Sequence, residues 1–229
     1  MGHEHTPEEV KADIVSKMPA GTGRLFYELD NSVSNLHLVW KNYRILYGTS
    51  PERIDLLNWS ASTFFGLLDD ILRSEVFMGI ARLADPKQSV GKDTVSLERL
   101  ISDLKNHLDQ NTYDKLVIML NEFKLYCDPI KQLRNRTIAH EDLATALKYH
   151  PDPLPGISRA FIEGALLRIR NILNDIEFKF LGNTTYYQDI ISQHDAESLI
   201  FALEGAKEHE KCRKEQFMKK YRIPFDNNK

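Results

Sequence analysis

The sequence predicts an all-α fold, an antiparallel helical bundle with additional N- and C-terminal helices. Three observations lead there. Apolar residues recur at three- and four-residue intervals, as in Leu25, Leu29, Val33, Leu36, Val39, Trp40 and Tyr43, which is the period of an amphipathic helix. No run of period-two alternation competes with it. Turn-forming residues gather in a few places: Gly21-Thr22-Gly23, Tyr47-Gly48-Thr49-Ser50-Pro51, Asp85-Pro86 through Gly91, and Tyr149 through Gly156.

Between those loops the spacing predicts a short helix near 7–17 and longer ones near 24–47, 51–84, 95–109, 112–139, 157–181 and 195–222. Ser50 stands before a first-turn Pro51, with Glu52 following, which is the chemistry of a capped helix start. Ser96-Leu97 opens the fourth helix. Pro129 falls inside the fifth and removes a backbone donor, so that helix should kink or restart there, just before an arginine-rich stretch. Asp195 precedes Glu197 and the Leu199-Ile200 pair, again a helix start. Long helices joined by short turns pack most simply with their apolar stripes facing inward, four long helices forming the core of a single domain.

At 229 residues, with 42% hydrophobic and 28% charged, the chain has the balance of a folded globular protein. The formal net charge of -3 supplies no global pull toward nucleic acid or anionic lipid, so any RNA contact must come from a local patch. The segment 206–222 holds seven Lys or Arg (Lys207, Lys211, Arg213, Lys214, Lys219, Lys220 and Arg222) against Glu208, Glu210 and Glu215, an excess of +4. Such a run is ordinarily a solvated helix face, and otherwise a surface for nucleic acid or a partner. Cys127 and Cys212 are far apart and lack partners at metal-ligand spacing, which fits a reducing compartment. The polar N-terminus has no secretory signal, and no stretch approaches a membrane span, so a cytoplasmic protein is expected.

Several chemistries find no support. There is no Gly-rich phosphate loop, no nucleophile elbow and no Walker lysine. Asp69, Asp70 and Glu75 lack the Glu-x-x-His pairs of a bundle metal site and read, with Arg73, as ion pairs; Arg82 with Asp85 reads likewise. His209 and Cys212, three apart, have no second pair, so neither metal nor cofactor is expected. Phe64, Phe65, Phe77, Phe123, Phe161 and Phe178 at helical spacing read as core. Tyr186-Tyr187, in a loop, could stack on a base or cover the end of the bundle.

One stretch is chemically distinctive: Lys131-Gln132-Leu133-Arg134-Asn135-Arg136-Thr137-Ile138-Ala139-His140-Glu141-Asp142. RNA cleavage without a metal requires a base for the ribose 2′-hydroxyl, an acid for the leaving 5′-oxygen and a cation for the crowded phosphorus. An imidazole near neutrality serves the first or second need, and a guanidinium serves the third through paired contacts to phosphate oxygens. DNA, without the 2′-hydroxyl, should resist this chemistry. Glu141 or Asp142 beside His140 would stabilise its charged form and raise its pKa. On a regular helix, residues six apart point about 120° away from each other, so Arg136, four before His140, is the nearer cation and Arg134 needs a helix distortion or a two-fold partner. The bland alternative is a helix end whose Arg and His complement the dipole and pair with nearby acids.

Arg134, a polar residue directly after it and His140 with five residues between resemble the signature of HEPN ribonucleases. Arg-Asn-Arg-x-Ile-Ala-His-x-Asp resembles the abortive-infection, AbiU-type branch in particular, as does Ile80-Ala81-Arg82-Leu83-Ala84-Asp85-Pro86 with the following Ser96-Leu97. The resemblance covers about residues 24–181, a HEPN-like core, with 195–222 as a C-terminal helical extension. It implies a metal-independent endoribonuclease, often a homodimer with Arg and His of both subunits at the interface, acting as a toxin or anti-phage effector and sometimes restrained by an antitoxin protein. Carried onto this chain, Arg134 would stabilise the phosphate, Asn135 would orient the imidazole or phosphate, and His140 would be general acid or base. Arg136 and Lys131 would help bind RNA. The alternative is a catalytically inactive helical module that binds RNA or a protein partner through the same surface.

Overall fold

The structure is a computed structural model and describes residues 6–138, 155–190 and 192–221. Of these residues 81% are helical, in eight α-helices, and the architecture is an all-α bundle. The helices are α1 (Pro7–Lys17), α2 (Thr22–Tyr47), α3 (Pro51–Leu83), α4 (Leu97–Leu104), α5 (Gln110–Tyr126), α6 (Asp128–Leu133), α7 (Arg159–Leu181) and α8 (Ala196–Tyr221). No described helix is long and apolar enough to cross a membrane.

The expected starts are found at the expected residues. Ser50 Oγ accepts from the Arg53 amide, Ser96 Oγ from Arg99, and Asp195 Oδ1 from Glu197. Thr6 and Glu9 form a reciprocal capping box on α1. Two details differ from the sequence reading. The 95–109 segment is a shorter helix closed by a 3-10 turn at Lys105–His107. The loop after Asp85 contains a minimal antiparallel hairpin, β1 (Gln88–Ser89) with β2 (Lys92–Asp93), pairing Gln88 with Asp93 and Ser89 with Lys92. Its two-residue turn puts Val90 and Gly91 at positive φ, a local geometry that gives no alternating pattern to read.

The described residues group into two compact units, one drawn from Met1–Val39 and Arg73–Ile190, the other from Trp40–Leu72 and Ile191–Lys229. In the first, α7 buries an unbroken stripe of Ile162, Ala165, Leu166, Ile169, Ile172, Leu173 and Ile176, spaced three and four apart. It packs against α5 and α1, and α5 packs against α4, whose Leu97, Leu100, Ile101 and Leu104 are all buried. Each such aliphatic side chain contributes about 1.5–3 kcal/mol by leaving water. In the second unit, Leu46, Leu56, Leu57 and Phe65 pack with Ala196 and Ile200. The start of α8 is held by Arg53, whose guanidinium grips both oxygens of Glu197 at 3.0 and 2.9 Å, and by Lys41 on Asp195 at 2.9 Å.

Not every expected core phenylalanine is buried. Phe65 and Phe123 are, and Phe161 is half-buried against Tyr126, but Phe64 and Phe178 are 59% and 66% exposed. Phe64 adjoins Phe65 in sequence, and adjacent residues lie about 100° apart on a helix, so one of the two faces outward. Phe178 falls two residues past Ile176 and off the buried stripe of α7.

Between α2, α7 and the chain after it lies a buried polar cluster. Tyr187 donates to Asp30 Oδ1 at 2.6 Å and stacks on His37 at 5.8 Å between ring centroids, so this tyrosine covers the bundle while Tyr186 stays exposed. Glu177 accepts from Asn183 and Thr185 through Oε1. His37 Nε2 is buried with no hydrogen-bond partner. Burial first, and the Arg170 charge second, push its imidazole down to about 4 from 6.5. A depressed imidazole contributes stability that is present above pH 6.5 and lost as the pH falls toward 4, a contribution of about 3 kcal/mol. Burial raises Asp30 and Glu177, which therefore act in the opposite direction, losing stability as the pH rises through their folded values. His37→Gln isolates the histidine: in urea unfolding at pH 7 and pH 4, wild type should lose about 3 kcal/mol relative to the variant. Parallel curves would show that His37 is not held neutral by the fold.

Candidate active site

The fifth predicted helix breaks where Pro129 requires. α5 ends at Tyr126, Cys127 leaves helical geometry with φ -84° and ψ 0°, and α6 restarts with Pro129 in its first turn, where the missing N–H costs nothing. Lys131 bridges the break. Its ammonium donates to the Lys124 carbonyl at 3.2 Å and to Asp128 at 3.4 Å, satisfying an orphan carbonyl at the end of α5. Cys127 is buried, and burial pushes its thiol up to about 12 despite the nearby Lys131 and Arg168, so it is no nucleophile. Arg168 of α7 lies 4.0 Å over the Tyr126 ring and locks this corner.

After Leu133 the winding changes: Arg134–Ile138 forms a π-helix. A helix distortion was one of the two ways, with a two-fold partner, in which Arg134 could approach His140, and π-turns inside helices occur frequently at functional sites. Arg134 is half-buried. Its Nη1 donates to Asp85 Oδ1 at 2.8 Å and its Nε to Asn135 Oδ1 at 3.1 Å. Asn135 thus accepts from the guanidinium through Oδ1, while its expected imidazole partner, His140, lies outside the described residues. Arg136 is half-buried on the same turn. His140, Glu141 and Asp142 lie outside the described residues, as does most of the 149–156 loop.

The structure therefore brings together Arg134, Asn135 and a residue read differently from sequence, Asp85. The expected pair of Arg82 with Asp85 is not formed. Arg82 meets Glu75 at 2.8 Å, because α3 ends at Leu83 and the turn into Pro86 carries the Asp85 carboxylate off the helix face. What joins Asp85 to Arg134 is a contact across 49 positions, which no local spacing signals. A partial signal did exist, since Asp85 belongs to one of the two stretches that resemble the AbiU-type branch.

The basic run on α8 has the character of a solvated face. Lys214 pairs with Glu210 at 2.6 Å and Lys211 with Glu208 at 4.0 Å along the same helix, and Arg222 lies outside the described residues. Among the described residues no three His, Cys, Asp or Glu side chains are grouped to hold a metal ion.

Compared with known proteins, the chain matches no curated protein and no solved structure. A family profile described as HEPN_AbiU2: AbiU2 matches residues 20–199, which spans α2 through the first turn of α8 and includes both Asp85 and the whole Arg134 to His140 stretch. That match takes in well over half of the chain, with the arginine-bearing π-turn inside it, and the protein therefore belongs to the HEPN_AbiU2 family, the abortive-infection AbiU2 branch of the HEPN superfamily.

Proposed function

We propose that this protein is a metal-independent endoribonuclease of abortive-infection defence, working as a homodimer. The observation that carries the reading is the fixed, half-buried guanidinium of Arg134 at the head of a π-turn that leads into His140. Neither its contact with Asp85 nor that with Asn135 uses an Nη2 hydrogen, so the group keeps donors for a phosphate oxygen. In the reaction, a base removes the 2′-hydroxyl proton as that oxygen attacks the adjacent phosphorus. Arg134 stabilises the charge gathering on the non-bridging oxygens. An acid protonates the departing 5′-oxygen, leaving a 2′,3′-cyclic phosphate and a 5′-hydroxyl. His140 takes one of the two proton-transfer roles, and Arg136 and Lys131 add attraction for the RNA backbone. Chemistry of this kind is toxic to the host cell, which suits an anti-phage effector held in check by an antitoxin.

The test is incubation of wild type and His140→Ala with labelled single-stranded RNA in EDTA, resolving the product ends. Cleavage to 2′,3′-cyclic phosphate by wild type alone is the expected result. No cleavage by either protein, with RNA binding that weakens with salt and survives His140→Ala, would replace the enzyme with an inactive RNA-binding module.

A further inference from the structure

We infer that Asp85 is a positioning residue of this active site, acting through Arg134. The inference rests on the ribonuclease reading and extends it to a residue outside the motif. Asp85 is placed by rigid neighbours. Its amide donates to the Arg82 carbonyl at 3.2 Å, the preceding Leu83 and Ala84 are buried, and Pro86 restricts the backbone after it. The carboxylate therefore projects from a fixed turn at the end of α3 and meets Arg134 Nη1 at 2.8 Å, with side-chain exposures of 26% and 19%.

A flexible arginine facing phosphate loses side-chain freedom when it engages. A guanidinium already held at Nη1 by a carboxylate and at Nε by an amide oxygen has lost that freedom in advance, so its Nη2 edge is aimed before RNA arrives. Asn135 alone cannot supply this. It is exposed and sits on the same π-turn, so it moves with Arg134, whereas Asp85 ties the arginine to a different element. A carboxylate at this distance also keeps the cation from reaching toward other acids.

The test uses the full chain as wild type, Asp85→Asn and Asp85→Glu, with two readouts. The first is steady-state cleavage of single-stranded RNA. The second is the Arg134 Nε–Hε resonance in ¹⁵N-labelled protein, assigned by its loss in Arg134→Lys, with and without an RNA made uncleavable by 2′-deoxy substitution. Asp85→Asn should lower kcat roughly 10- to 100-fold with KM within about twofold, because positioning acts in the transition state. The Arg134 resonance should lose its distinct position, and Asp85→Glu should recover much of the rate. If Asp85→Asn lowers the melting temperature so far that it is not folded at the assay temperature, Asp85→Glu and its resonance decide the matter. Asp85→Asn cleaving as fast as wild type would overturn the inference and leave the ribonuclease reading standing. If wild type cleaves no RNA, the ribonuclease reading falls. The positioning role then stands if uncleavable RNA shifts the Arg134 resonance in wild type and not in Asp85→Asn, and is overturned if wild type shows no shift.

Discussion

Arg134→Ala should lower RNA cleavage about 100- to 1,000-fold, the loss seen when one preorganised donor to a developing oxyanion is removed. The size of the effect follows from where the group sits. Arg134 is half-buried and fixed by two contacts, so its donors are already in place and need little reorganisation when a phosphate engages. Arg134→Lys should be nearly as damaging. An ammonium is a point charge that cannot hold Asp85 and Asn135 at once while offering paired donors to phosphate. Stability should change little in either variant, because the Asp85 carboxylate is partly solvated and an ion pair of this exposure contributes at most about 1 kcal/mol. Single-turnover rates beside thermal melts would separate the two effects. Arg134→Ala retaining wild-type rates would remove the arginine from the chemistry.

Phe123→Ala should cost about 3–5 kcal/mol of stability, the range for truncating a fully buried phenylalanine. Phe123 is 0% exposed in the last turn of α5, and α5 packs against both α4 and α7. Its carbonyl also accepts from the Cys127 amide at 3.0 Å, so the residue lies just before the break after which the arginine-bearing turn is built. A cavity there therefore loosens the seat of α6 as well as the α5–α7 contact. Against the total of about 5–15 kcal/mol for an ordinary domain, the variant should be only marginally folded at ambient temperature. Urea unfolding gives the figure directly, and a loss below about 1 kcal/mol would mean that neighbouring side chains close the gap.

Much of the fold was legible because it depends on near neighbours. Helix periodicity, the serine and aspartate starts at Ser50, Ser96 and Asp195, and the restart at Pro129 all arise from interactions within one or two turns, and each is found where the sequence places it. The Arg134 to His140 stretch was legible for a different reason, as a pattern of residue types that metal-free RNA cleavage demands. Its spacing left either a helix distortion or a two-fold partner to bring Arg134 toward His140; a π-turn begins at Arg134, and His140 lies outside the described residues.

Residue pattern alone was enough for a helical chain of the AbiU-type HEPN branch with its candidate chemistry gathered between Lys131 and His140. Side-chain partners came only with the packed fold: Asp85 on Arg134 across 49 positions, Tyr187 on Asp30 across 157, and Lys131 turned back onto the end of α5. It also decided that Phe64 and Phe178 face outward while their neighbours are buried. Helix periodicity specifies which side of a helix is apolar. The direction of one particular carboxylate at a helix end depends on a turn of two or three residues and on what packs beneath it, and neither leaves a repeat in the sequence.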